Sequence, residues 1–154
     1  MGALPLPEYE GFDAVELASH IRSGHLTPLE VLEAAMARAD AHSHINAVAL
    51  RHDEQARKAA QQLSRLGQAE RDRQAEKAPL LGVPFALKDL GVALQGTVTT
   101  QGCAFFKDAV ADHDSTLVQR YRGAGLNIFA KTTSPEFGQT ATTESRLFGL
   151  TRNP

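Results

Sequence analysis

Apolar positions recur at helical spacing through the first third of the chain and gather into short unbroken runs in the second half. Asp13 and Glu16 form a capping-box pair around Val15, Leu17 and Ile21, with Gly24 as a stop. Thr27, Pro28 and Glu30 make a stronger start, because proline suits the first helical position and Glu30 can reach back to the cap. Leu29, Leu32, Met36 and Ala39 then share one face, which reads as core packing. Residues 46–50 suggest a short extended piece, and a third helix is predicted over residues 53–66. Residues 67–79 are polar and mixed in charge, and read as an exposed connection.

From residue 80 the pattern changes. Residues 80–87 are an apolar run containing Gly82 and Pro84, and it stops abruptly at Lys88 and Asp89. Such a run fits a strand buried on both faces. Residues 95–102 are rich in Gly and Thr and read as a loop. Asp114 is placed to cap a helix with Leu117, Val118 and Tyr121 inward, ended by Gly123 and Gly125. Residues 126–130 read as a second strand, followed by a second lysine, Lys131. Ser134, Pro135, Glu136 and Phe137 resemble another capped helical start. The order helices, strand, loop, helix, strand predicts an α/β chain.

Composition narrows the function classes. The 154 residues suffice for one ordinary domain. With 16 basic and 18 acidic residues the net charge is -2, so charge offers no reason to expect nucleic acid or an anionic membrane as partner. Residues 1–10 lack the apolar run of a signal peptide, and no stretch reaches the roughly 18 apolar residues of a membrane span. Together with the single cysteine, Cys103, this makes the cytoplasm the expected location.

Most candidate chemistry fails on inspection. Gly123 and Gly125 lack the third glycine of a dinucleotide fingerprint, and they follow a predicted helix where the fingerprint precedes one. His42, His44 and His52 have no accompanying metal-binding pattern, so no metal is expected. Asp112, His113 and Asp114 are adjacent in the chain, a poor arrangement for a triad. Cys103 reads as a small buried thiol in a turn. Lys88 is different. Placed after a strand apolar on both faces, its amine would enter a poorly solvated space, where a lysine pKa falls and the neutral amine can act as a general base. On pattern alone, a lysine that snorkels to water or pairs with Asp89 is the commoner outcome.

The surrounding residues alter that balance. The run Gly82-Val83-Pro84-Phe85-Ala86-Leu87-Lys88-Asp89 resembles the lysine strand of the amidase-signature family. Thr99-Thr100-Gln101-Gly102 resembles its Thr-Thr-x-Gly turn. Asp112-His113-Asp114-Ser115-Thr116-Leu117-Val118, followed by Gly123-Ala124-Gly125, resembles its next helix. Lys131-Thr132-Thr133-Ser134-Pro135-Glu136-Phe137 and Thr143-Glu144-Ser145 resemble its pocket-side stretch. Phe148-Gly149-Leu150-Thr151-Arg152-Asn153-Pro154 resembles the run before its Gly/Ser-rich signature. The helical first half is also arranged as in the family, so the resemblance covers nearly the whole chain, with five motifs in register. Cys103 departs slightly, standing where family members often carry serine.

The resemblance implies an α/β fold: N-terminal helices, then the first strands and helices of the mixed sheet of the amidase-signature fold, incomplete in this chain. Residues 1–154 would be the N-terminal portion of an amidase domain, with a helical region at 1–66, a polar connection at 67–79 and an α/β region at 80–154 carrying the lysine strand. It implies amide hydrolysis by a Ser–Ser–Lys triad, in which the lysine acts through a bridging serine in a cis peptide bond. The second serine attacks the carbonyl, and a glycine-rich turn binds the oxyanion. Only Lys88 maps here as catalytic; the serines and the turn are expected beyond Pro154, leaving this chain alone inactive. Gly138, Thr142 and Thr143 are expected to line the acyl pocket near the Lys88 amine, because residues 138–143 are small and hydroxyl-rich.

No cofactor is implied. The expected partner is a small-molecule amide, with no nucleic acid bound directly and no membrane. The parent would be a free-standing amidase or part of an amidotransferase. An isolated fragment would expose strands bearing Leu81, Val83, Phe85, Leu87, Ile128 and Phe129 and could self-associate through its open sheet. The alternative to an enzyme is a non-catalytic remnant that binds a partner that way.

Overall fold

The computed structural model describes residues 4–154. The chain divides into two compact units. The first takes in the chain up to Ala41, His52–Phe85 and Tyr121–Phe129; the second comprises His42–Arg51, Ala86–Arg120 and Ala130–Pro154.

In the first unit, local chemistry sets the helix ends. Helix α1 (Ala14–Ser23) begins with a complete capping box: Asp13 accepts from the N–H groups of Val15 and Glu16, and Glu16 accepts from the N–H of Asp13. It ends at Gly24 in the left-handed region. Helix α2 (Pro28–Ala41) is boxed in the same way by Thr27 and Glu30. Its buried face is wider than predicted. Val31, Ala34, Ala35 and Arg38 join Leu32 and Met36, while Leu29 and Ala39 are half-buried. Leu17, Ala18, Ile21, Val31 and Val83 form a common core.

Helix α3 (Asp53–Ser64) is held to α2 by Arg57, whose guanidinium donates to both oxygens of Glu33 at 2.6 and 3.0 Å. Residues 68–75, expected as an exposed connection, form a helix, α4 (Gln68–Ala75). It contains no buried residue. Polar contacts anchor it instead: Arg71 donates to the Leu66 carbonyl, Gln68 to the Arg22 carbonyl, and Arg22 pairs with Asp72. A helix fastened this way leaves no apolar stripe in the sequence.

The arginine bond to Glu33 and the Thr27 bonds to Glu30 hold both carboxyls below the ordinary glutamate pKa. Groups depressed on folding stabilise fully above their unfolded pKa and lose that contribution as pH falls through the folded value. Acidification from pH 7 to about pH 3 is therefore expected to lower the urea midpoint, and Glu30→Gln with Glu33→Gln should make that fall shallower. An unchanged slope of stability against pH in the double variant would contradict this.

The main sheet has the order β1-β3-β2, with β1 at Val48–Arg51, β2 at Pro84–Lys88 and β3 at Asn127–Thr132. Strand β3 is central. It pairs antiparallel with β1, Leu50 opposite Lys131 and Arg51 opposite Ala130, with an irregularity between Val48 and Leu50. Gly125, at φ +92°, leads into β3; a Cβ there would lie 2.6 Å from the Leu81 Cα, so only glycine fits. The expected exposure of strand residues is not seen. Leu81, Val83, Leu87, Ile128 and Phe129 are buried and Phe85 is half-buried against the Tyr121 ring.

In the second unit, Asp114 binds the Gln95 N–H just before helix α5 (Thr116–Gly123). Within α5, Val118 is buried as predicted, but Leu117 is exposed. The expected helix at residues 134–137 is a single 3-10 turn, Glu136–Gly138. Phe137 sits there at φ +52°, which ends helical propagation. A small hairpin of β4 (Glu144–Ser145) and β5 (Gly149–Leu150) follows. Asn46 fastens it by donating to the Phe148 carbonyl at 2.7 Å.

Candidate active site

Lys88 is the last residue of β2, as the apolar run before it predicts. Its side chain is exposed, however, and not buried as expected. The physical reason is the alternation of side chains along a strand, which turns Lys88 to the face opposite that of Leu87 and Asp89. The residues flanking Lys88 behave differently: Leu87 and Asp89 are both buried. The backbone is thus gripped on either side of an outward-facing amine.

The grip on Asp89 is a knot of hydrogen bonds among the segments singled out in the sequence. The Asp89 N–H donates to the Thr132 carbonyl at 3.0 Å, continuing the pairing of β2 with β3. Its carboxylate accepts from the Thr100 N–H at 2.9 Å and, through the other oxygen, from the Thr100 hydroxyl. Its carbonyl accepts from the Ser134 hydroxyl at 3.1 Å. The Thr100 hydroxyl oxygen in turn accepts from the Gly102 N–H at 3.0 Å. Gly102 lies so close to the next segment that a Cβ would be 2.6 Å from the Ser134 carbonyl oxygen. Finally, the Phe137 N–H donates to the Gln101 carbonyl at 2.9 Å. The lysine strand, the threonine turn and residues 134–137 are therefore one hydrogen-bonded assembly, which explains why those residue types occur together.

The buried lysine is Lys131, on the central strand, with 0% of its surface exposed. Its ammonium donates to the Val98 carbonyl at 2.6 Å and to the Thr99 hydroxyl at 2.7 Å. Burial pulls its pKa below the ordinary lysine value, and the negative charge of Asp89 partly opposes that shift. Read from the sequence, Lys131 is a second lysine after a strand and carries no assigned role. The signal is nonetheless present, since it follows Ile128, Phe129 and Ala130 just as Lys88 follows its own apolar run.

Of the expected pocket residues, Gly138 and Thr142 are exposed and Thr143 is half-buried. Gly138 lies against Leu90, two residues past Lys88: a Cβ there would be 2.8 Å from Leu90 Cδ2. Thr142 accepts at its carbonyl from the Thr140 hydroxyl, and the Thr143 carbonyl accepts from Thr151 N–H. The dismissed candidates have ordinary settings. Asp112 and His113 form an exposed pair, and Cys103 is half-buried and not fully buried as expected. Among the described residues no cluster of His, Cys, Asp or Glu could hold a metal ion, and no helix is long and apolar enough to cross a membrane.

Residues 30–154 match the family model described as Amidase. The 6-aminohexanoate-cyclic-dimer hydrolase of Paenarthrobacter ureafaciens is 39% identical over 145 residues, covering 92% of this chain and 27% of that protein. The acylamidase of Rhodococcus erythropolis is 40% identical over 143 residues, covering 92% of this chain and 29% of its own length. A solved bacterial aryl acylamidase of the amidase-signature enzymes superposes with a TM-score of 0.82 at 31% identity, over 93% of this chain and 29% of that one. The chain thus spans a little over a quarter of the length of these two relatives.

Proposed function

This chain belongs to the amidase family, and from that premise we propose that it is the lysine-bearing part of an amide hydrolase and is inactive by itself. The observation that carries the reading is the setting of Lys88: an outward-facing amine on a backbone held at Leu87 and Asp89, at the open edge of the sheet. Residues from the remaining three quarters of such an enzyme would cover that edge, desolvate the amine and bring the serines to it.

In the proposed reaction, the nucleophilic serine hydroxyl adds to the amide carbonyl while its proton passes through a bridging serine to the Lys88 amine. The C–N bond then breaks, the proton returns to the departing amine, and water releases the acyl group by the same route. Gly138, Thr142 and Thr143 would line the acyl side, a role supported by the contact of Gly138 with Leu90 near the strand end. The same reading puts the enzyme in the cytoplasm, with a small amide as substrate.

A second reading, self-association without catalysis, is supported by the open edge of β2 and by Phe105, Val110 and Phe137 standing exposed in the second unit. One experiment addresses both. The 154-residue chain and the longer protein are assayed on an aryl and an aliphatic amide, labelled with a fluorophosphonate, and sized in solution. The short chain is expected to give neither turnover nor label, and the longer protein to give both. Labelling of the short chain would defeat the claim that its nucleophile lies elsewhere. A stable short-chain oligomer with no active longer protein would favour the second reading.

A further inference from the structure

A lysine ammonium buried completely on the central strand is costly, and its solvation must be replaced by specific partners. Lys131 finds two, and both lie in the turn that holds Asp89. The contacts form a series. Lys131 grips Val98 and Thr99; the next residue, Thr100, donates twice to the Asp89 carboxylate; Asp89 adjoins Lys88. Thr99 is itself tied back, its hydroxyl donating to the Val92 carbonyl at 3.0 Å while its oxygen accepts from Lys131. Residues 92–100 are thereby closed into a rigid loop beside the end of β2.

We propose that Lys131 is a positioning residue for Lys88: by clamping Val98 and Thr99 it holds Thr100 on Asp89, and so fixes where the end of β2 presents the Lys88 amine. The inference rests on the reading of Lys88 as the base. Lys131 is fully enclosed and bonded within the fold, so it takes no part in proton transfer to substrate. Methionine at 131 would fill a similar volume without the ammonium, leaving the Val98 carbonyl and the Thr99 oxygen without their donor. The turn would loosen, and Lys88 with it. A displacement of about 1 Å at a reacting group can cost about 100-fold in rate, with binding little affected.

The test uses the longer enzyme, comparing wild type with Lys131→Met, Thr99→Val, Thr99→Ser and Lys88→Ala. Active sites are counted with a fluorophosphonate, so that misfolded protein does not lower the apparent turnover. Lys131→Met is expected to lower kcat per labelled site by about 10- to 100-fold, with KM within about threefold. The pH profile of kcat should also shift. Thr99→Val should move both readouts in the same direction by less, and Thr99→Ser should restore them. If Lys131→Met yields no folded enzyme, the threonine pair decides alone. Full kcat per site in Lys131→Met, or in Thr99→Val where that pair decides, would overturn the positioning role. An equal loss in Thr99→Val and Thr99→Ser would do so too. An active Lys88→Ala enzyme would instead overturn the reading of Lys88, so the two failures are distinguishable.

Discussion

Lys88→Ala in the longer enzyme is expected to lower kcat by about 10²- to 10⁴-fold, the range associated with losing a general base, while KM changes only a few-fold. The split follows from the geometry. The backbone around Lys88 is held by Asp89 and by the burial of Leu87, neither of which depends on the Lys88 side chain. Removing an outward-facing amine from such a frame deletes the proposed proton acceptor without disturbing the frame. Lys88→Arg is expected to fail equally, because a guanidinium stays protonated at any working pH and cannot accept the serine proton. Steady-state kinetics on an aryl amide measure both variants. A Lys88→Arg enzyme with near-normal kcat would mean that the residue supplies only positive charge, and a Lys88→Ala enzyme with raised KM and unchanged kcat would reduce it to a binding group.

Features set within a few residues are legible in the sequence. The capping boxes at Asp13 and Thr27, the stop at Gly24 and the end of β2 at Lys88 all depend on neighbours close in the chain. Features set by which face of a strand is covered are not. An apolar run before a lysine looks the same whichever face the lysine points to, so the pattern assigns to Lys88 a burial that belongs to Lys131. Helix α4 escapes for a related reason: its anchors at Arg22 and Leu66 are polar, and hydrophobic periodicity carries no trace of them. The left-handed backbone at Phe137 breaks a helix that its own side chain and Pro135 would permit, and only its bond to Gln101 accounts for it. The lysine strand, the threonine turn and residues 134–137 sit close together because the Asp89, Thr100, Gly102 and Ser134 contacts link segments far apart in sequence.

Asp89→Ala should destabilise this chain by about 3–5 kcal/mol, the cost of breaking a buried charged group away from its partners. Asp89 is 0% exposed. Its loss leaves the Thr100 N–H and hydroxyl without an acceptor in a buried position, each orphaned group costing about 1–3 kcal/mol. It also removes the negative charge that partly offsets the burial of the Lys131 ammonium. Asp89→Asn keeps the shape and one acceptor oxygen but not the charge, so it should cost less than alanine. The two causes separate in a double-mutant cycle with Lys131→Met. If Asp89 stabilises partly through Lys131, the pair should be less damaging than the sum of the singles by about 1 kcal/mol or more. Urea unfolding followed by far-UV circular dichroism gives all four free energies. Strict additivity would confine the role of Asp89 to Thr100, and an Asp89→Ala chain within about 0.5 kcal/mol of wild type, the usual range for a surface substitution, would show that the knot at the end of β2 does not hold the fold together.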